Sequence, residues 1–294
     1  MRLALLLFLL CHYAAASSQM QLQGLDHFSA AEQQKLRLWL EQSFHATNQL
    51  LGPYPFLTYV SLSPHSGSEP VPWAYTQRME QQQVFFQVDS RFTFSEFQQD
   101  WTAAHEFSHL ALPLLDKEDL WFAEGFASYM QYQVLQHQGQ LTETPAYWYQ
   151  QKLRQVAPLL ANSATPLVRQ LKLWLQQKHY KAAYWGSALF FIEADQLLQK
   201  RGLSLSHLIR RYQRQHRLTD QNLAALIRSL DTLAGHPVFA TLLDKYQQQS
   251  SQTLWRQHPA FFCPPSTSSH RTLNSGSGLV RLFLLFPRSA IVKA

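Results

Sequence analysis

Apolar side chains return every fourth residue at Leu36, Leu40 and Phe44, the stripe of an amphipathic helix over residues 29–50. Ser29-Ala30-Ala31-Glu32 ahead of the stripe has the S-x-x-E form of a capping box, and Gly52-Pro53 behind it is a stop. The pattern then changes to short runs rich in aromatic and β-branched residues: Phe56 to Leu62, Val71 to Gln77 and Val84 to Asp89. Turn-rich Ser63-Pro64-His65-Ser66-Gly67 and polar Gln81-Gln82-Gln83 separate them, so these runs predict a small sheet. A helix follows, predicted from near Thr93–Ser95 to Pro113. Beyond residue 118 every long segment carries helical periodicity: Asp119–His137, Pro145–Val156, Lys181–Lys200, Ser204–Gln215, Asp220–Leu230 and Val238–Gln249. No internal repeat is visible. The pattern predicts an α+β chain, a small N-terminal mixed sheet with a helix followed by a mainly α-helical part.

The two ends read differently from the middle. Met1-Arg2, the apolar run Leu3 to Leu10 and Ala14-Ala15-Ala16-Ser17 have the form of a secretory signal peptide over residues 1–16. The apolar run is too short to span a bilayer. Leu10 before Cys11 is not the small residue a lipoprotein site needs, which argues against a lipid anchor. Export to the periplasm or medium is therefore expected. Removing residues 1–16 from the 294 leaves 278, with Cys263 as the remaining cysteine and no internal disulfide possible. One domain is expected over residues 17–262, its sheet-containing part about 25–92 and its helical part 93–250. Residues 264–277 read as a linker within a C-terminal tail, 263–294, whose apolar run Gly278 to Phe286 is too short for a transmembrane helix. The excess of 25 Lys and Arg over 19 Asp and Glu is mild and does not argue for nucleic acid. Arg210-Arg211-Tyr212-Gln213-Arg214-Gln215-His216-Arg217 is a basic run, read as a solvated helix face.

The chemistry concentrates at His105-Glu106-Phe107-Ser108-His109, an H-E-x-x-H pattern. Four helical residues turn the chain by about 400°, so both imidazoles share one face, about 5–6 Å apart at Cβ. That spacing suits one tetrahedral zinc with bonds of about 2.0–2.1 Å. Glu106 is then placed to act as base on a zinc-activated water. The alternative is an ordinary helix with two solvated histidines. A hydrolytic zinc needs a third protein ligand and an open position. Downstream acids are Asp116, Glu118, Asp119 and Glu124. The first three fall in or near the turn after Pro113 and read more simply as solvated groups or, for Asp119, as a helix cap. Glu124 lies inside the next helix, from which a carboxylate can face back. Donors for a developing oxyanion, on a helix able to reach the cleft, are His179, Tyr180 and Tyr184.

Leu120-Trp121-Phe122-Ala123-Glu124-Gly125-Phe126-Ala127-Ser128-Tyr129 resembles the W-x-x-E-G-x-A-x-Y segment of gluzincin metallopeptidases, the aminopeptidase N and glycyl aminopeptidase families in particular. The resemblance implies a thermolysin-like zincin catalytic domain with Glu124 as third zinc ligand. Tyr184-Trp185-Gly186-Ser187-Ala188-Leu189 is similar to the families' Y-x-K-G-A-L segment, which implies Tyr184 as the oxyanion donor, with Gly186-Ser187 in place of Lys-Gly. The likeness is confined mainly to residues 101–130 and, less closely, 180–202. Fourteen residues separate His109 from Glu124, fewer than in aminopeptidase N. No G-x-M-E-N segment precedes the zinc helix. Val71 to Gln77 holds that place in order without a carboxylate, which counts against aminopeptidase specificity. That strand is either an ordinary sheet strand or one that takes up peptide by strand addition.

The expected protein is an exported metallopeptidase with one Zn²⁺ per chain on His105, His109 and Glu124, acting on peptide or protein substrates, with no nucleic-acid partner and no transmembrane helix in the mature chain. The alternatives are a non-catalytic zinc or peptide-binding module and a hydrolase of a non-peptide bond. Endo- versus exo-cleavage and oligomeric state have no signature in the sequence.

Overall fold

A computed structural model describes residues 19–258. The expected signal peptide, Cys11, Cys263, the linker and the C-terminal tail lie outside the described residues. Four strands form one mixed sheet: β1 (Gln19–Gln23), β2 (Leu57–Pro64), β3 (Trp73–Arg78) and β4 (Gln82–Val88), in the order β1-β2-β4-β3. The pairs β1–β2 and β2–β4 are parallel, and β3 runs antiparallel to β4 in the register Tyr75↔Phe85, with the two rings stacked at 4.5 Å. Thus β3 is an edge strand. Strand β1 has no counterpart among the expected runs. Its QMQLQ carries two apolar residues, and pairing with β2 rather than its own composition makes it a strand.

Val60, Leu62, Val84, Phe86 and Val88 alternate inward and are buried. Helix α1 (Ala30–Leu51) covers that face. Its Ser29–Glu32 capping box forms as expected, and Gly52 ends it at φ 95°, a conformation that favours glycine. Trp39 packs edge-on against Phe86, which also meets Phe107 from the H-E-x-x-H helix, so strand, α1 and that helix share one aromatic core. The segment expected as one helix to Pro113 is two: α2 (Phe94–Gln99) and α3 (Thr102–His109). Asp100 is extended between them, and its carboxylate accepts the Thr102 N–H at 2.7 Å, an Asx-type restart that breaks the ladder.

The rest is helical: α4 (Leu120–His137), α5 (Pro145–Ala161), α6 (Leu167–Gln176), α7 (Tyr180–Gln199), α8 (Leu205–Gln215), α9 (Leu223–Ala234), α10 (Val238–Gln248) and α11 (Ser251–Arg256). Helix α5 continues past Pro158 to Ala161, beyond the expected end at Val156, and Leu160 in the added turn is fully buried. Helices α6 and α11 were not anticipated. Helices α4 and α7 pack through Phe122, Phe126, Phe190 and Phe191. They approach so closely that a Cβ on Gly125 would lie 2.6–2.7 Å from Ser187 atoms, including its backbone. Among the described residues no helix is long and apolar enough to cross a membrane. The observed class is the expected α+β: a small mixed sheet, then helices.

Candidate metal centre

Helix α3 presents His105 and His109 on one face, their rings 4.9 Å apart. Helix α4 packs across α3 and turns Glu124 toward both. Glu124 Oε2 lies 3.3 Å from His105 Nε2 and 3.6 Å from His109 Nε2, and all three side chains are buried. Their ligand atoms lie within 4.8 Å of one another. A tetrahedral zinc with bonds of about 2.0–2.1 Å separates its ligands by about 3.3–3.4 Å. The observed spacings match that edge, and a two-imidazole, one-carboxylate donor set suits zinc chemically. The residues therefore fit the metal. Burial alone would raise the Glu124 pKa, but the histidines beside it hold it far below the usual carboxylate range.

Each member has its own support. His105 Nδ1 sits 3.0 Å from Gln131 Oε1, leaving Nε2 toward Glu124. Trp101 stands edge-on to the His105 ring at 5.3 Å. The Thr76 hydroxyl on β3 lies 2.7 Å from Glu106 Oε2 and 2.9 Å from the Glu106 carbonyl, pinning that side chain from the sheet edge. Tyr184 on α7 lies over His105 at 5.9 Å between ring centroids. Its hydroxyl is buried near the Glu124 carboxylate, with no hydrogen bond of ordinary geometry among the described residues. Burial first, then the charges of Glu124 and Glu106, push its ionisation well above the ordinary tyrosine value, so the hydroxyl stays a donor. Tyr180 stands one turn back with its ring 6.1 Å from Tyr184 and does not line the cleft, nor does His179.

The open end of α3 is held by side chains. Tyr54 Oη donates to the Phe107 carbonyl at 2.6 Å and Arg78 Nη1 to His109 at 2.6 Å. Arg217 Nε donates to Leu110 at 2.9 Å and Gln213 Nε2 to Ala111 at 2.7 Å. These carbonyls follow from a helix that Pro113 cannot continue. The basic run 210–217 is thus not simply a solvated face. Arg217 is buried over the Phe56 ring at 4.9 Å, while Arg210 bonds the Gln49 carbonyl at the end of α1, and Arg211 bonds that of Leu233 near the end of α9 at 2.8 Å. Of the turn acids, Glu118 pairs with Lys172 at 3.3 Å, and Asp119 takes the N-cap position of α4 without a side-chain cap bond.

The site opens into a cleft of about 1030 Å³. One wall is β3 with Met79 just beyond it, and the opposite rim runs from Pro113 to Lys117. The sequence motifs do not mark Gln131, Thr76, Arg78 or Arg217 as site residues. Gln131 lies seven residues after Glu124, two turns along the same face, and that spacing was a usable signal. The other three act across long sequence separations and left none.

Among solved structures the chain is similar to an M1 zinc metallopeptidase from Deinococcus radiodurans, with 17% identity and a TM-score of 0.50 over 72% of this chain and 44% of that one. A variant of the M1 zinc metallopeptidase from that organism bound to a Tyr-Ser-Ala substrate matches with 16% identity and a TM-score of 0.50 over 71% and 44%. A two-domain M1 zinc metallopeptidase variant bound to L-arginine gives 17%, 0.50, 72% and 44%. The likeness is one of fold, and this chain spans less than half the length of those structures. No family model and no curated protein matches the chain.

Proposed function

We propose that the chain is a zinc-dependent peptidase, built on the gluzincin plan, with one metal per chain on His105, His109 and Glu124. The observation that carries the reading is the meeting of that triad with a tethered Glu106 and the buried Tyr184 hydroxyl in one open cleft. When bound, zinc would supply Lewis-acid polarisation of the scissile carbonyl and lower the pKa of water. Glu106 takes a proton from the attacking water and delivers it to the leaving amine. Thr76 keeps the Glu106 carboxylate aimed while the proton moves. Tyr184 donates to the carbonyl oxygen as it gains negative charge. The edge of β3 would align an extended peptide beside these groups. Delivery by the signal peptide to the periplasm or medium completes the proposal.

The test joins metal content to cleavage. Purified protein should hold about one zinc per chain and cut members of a peptide library, and a chelator should abolish both. Glu106→Gln should keep its zinc while peptide hydrolysis falls by roughly 10²–10⁴. Hydrolysis by that variant at the wild-type rate would remove Glu106 from the chemistry. Sequencing the N-terminus of exported protein checks the leader, with Ser17 as the expected first residue.

A further inference from the structure

Met79, Leu114 and Leu218 are the three most exposed large apolar side chains among the described residues, at 66%, 49% and 66%. They are far apart in sequence, yet all three line the one cleft that holds the candidate metal centre. Single exposed leucines need no explanation, whereas three exposed apolar side chains in the cleft of one site do. The bonds at the end of α3 tie the sequence neighbours of two of them to one end of that helix. Arg78 reaches the His109 carbonyl and Arg217 the Leu110 carbonyl, so their sequence neighbours Met79 and Leu218 arrive at the same end. Leu114 follows in the rim after Pro113.

We propose that these three side chains form a specificity subsite for a large aliphatic or aromatic residue of the peptide substrate. This rests on the peptidase reading above. The subsite lies past His109, at the end of the cleft where β3 runs out into Met79. A peptide laid along that open strand edge is led to it. An occupant with a large apolar side chain removes the three exposed groups from water, which a polar or acidic residue does not. Methionine adapts to side chains of different shape, so the site selects by size and apolarity rather than by outline. The subsite takes a residue on one side of the scissile bond.

The experiment is a peptide-library digest by the zinc-loaded full chain and by M79S/L114S/L218S, with melting temperature and sedimentation of both. Wild type should enrich Leu, Phe or Met at one position beside the cut by roughly 10–100-fold over Ser or Asp. The triple variant should flatten that position, keep the preferences at the others and melt as wild type does. Binding to Glu106→Gln supplies a readout without turnover: a peptide with Leu at that position should bind more tightly than its Ser counterpart, and the triple variant should erase the difference. Cleavage without apolar selection overturns the subsite while leaving the peptidase reading intact. Unchanged selection in the triple variant overturns it as well. So does loss of a dimer in the triple variant with selection unchanged, which would make the rim a contact between copies. A wild-type, zinc-loaded protein that cuts nothing in the library removes the peptidase reading and the subsite with it.

Discussion

Helices α3 and α4 bring ligands to one point, and they are held there by different means. Helix α3 is eight residues long, and the carbonyls at and just beyond its open end are taken by Tyr54, Arg78 and the pair Gln213 and Arg217, from three other parts of the chain. Helix α4 is eighteen residues long, is buried over most of its length and is fixed by close packing on α7. A short helix closes few of its own hydrogen bonds, so its end must borrow donors, and each borrowed donor fixes direction. A long apolar helix is located mainly by shape, here with a buried tie, Tyr129 Oη donating to Asp195 Oδ2 on α7 at 2.7 Å. The site therefore joins a polar-tethered half carrying His105, Glu106 and His109 to a packing-located half carrying Glu124.

The difference can be broken from either side. On the packing side, Gly125→Ala would put a methyl group 2.6–2.7 Å from Ser187 atoms. Separating α4 from α7 should cost about 3 kcal/mol in chemical denaturation. It should also weaken zinc retention in a chelator competition, because Glu124 is the adjacent residue. On the tethered side, Arg217→Met keeps apolar bulk over Phe56 but leaves the Leu110 carbonyl without that donor. A loss of about 1–3 kcal/mol is expected. Equal stability of Arg217→Met and wild type would mean that the tether contributes nothing.

The smallest effect concerns a polar tie on the packing-held side. Glu193 on α7 meets Lys245 Nζ at 2.6 Å, Tyr246 Oη at 3.0 Å and His258 Nε2 at 3.4 Å. Burial would raise its pKa, but the hydrogen bonds from His258 and Lys245, with their charges, hold it at about 2. A carboxylate lowered in the folded state stabilises fully above its unfolded value of 4.5 and loses that contribution as pH falls toward about 2. Thermal melts should show Glu193→Gln less stable than wild type at pH 6, with the gap closing between about pH 4.5 and 2. A gap that persists unchanged at pH 2 would assign the loss to packing rather than charge.

Much of the fold was legible because local signals and tertiary needs agree. The Ser29–Glu32 box, the stripe of α1 and the alternation in β2 and β4 each point to the element that forms. The break between α2 and α3 was missed because Asp100 reads as an ordinary helix-surface acid until its carboxylate is seen on the Thr102 N–H. Strand β1 was missed because its partner, not its pattern, makes it a strand. By charge alone the basic run 210–217 reads as a solvated face, whereas the open carbonyls at the ends of α1, α3 and α9 decide where several of those side chains go.

By itself the sequence determined the local spacing of the site. The i and i+4 histidines and the adjacent Glu106 follow from helical period, and the Glu124 segment carried the family resemblance. Only the tertiary structure decided that Glu124 Oε2 stands 3.3 and 3.6 Å from the two imidazoles, that Thr76 tethers Glu106, and that Tyr184 rather than Tyr180 faces the cleft. The physical reason is range. A helix fixes relations over four residues through its own backbone, while contacts between residues 15 or more apart, as from Glu124 to His109, depend on which faces pack, and composition does not encode that packing.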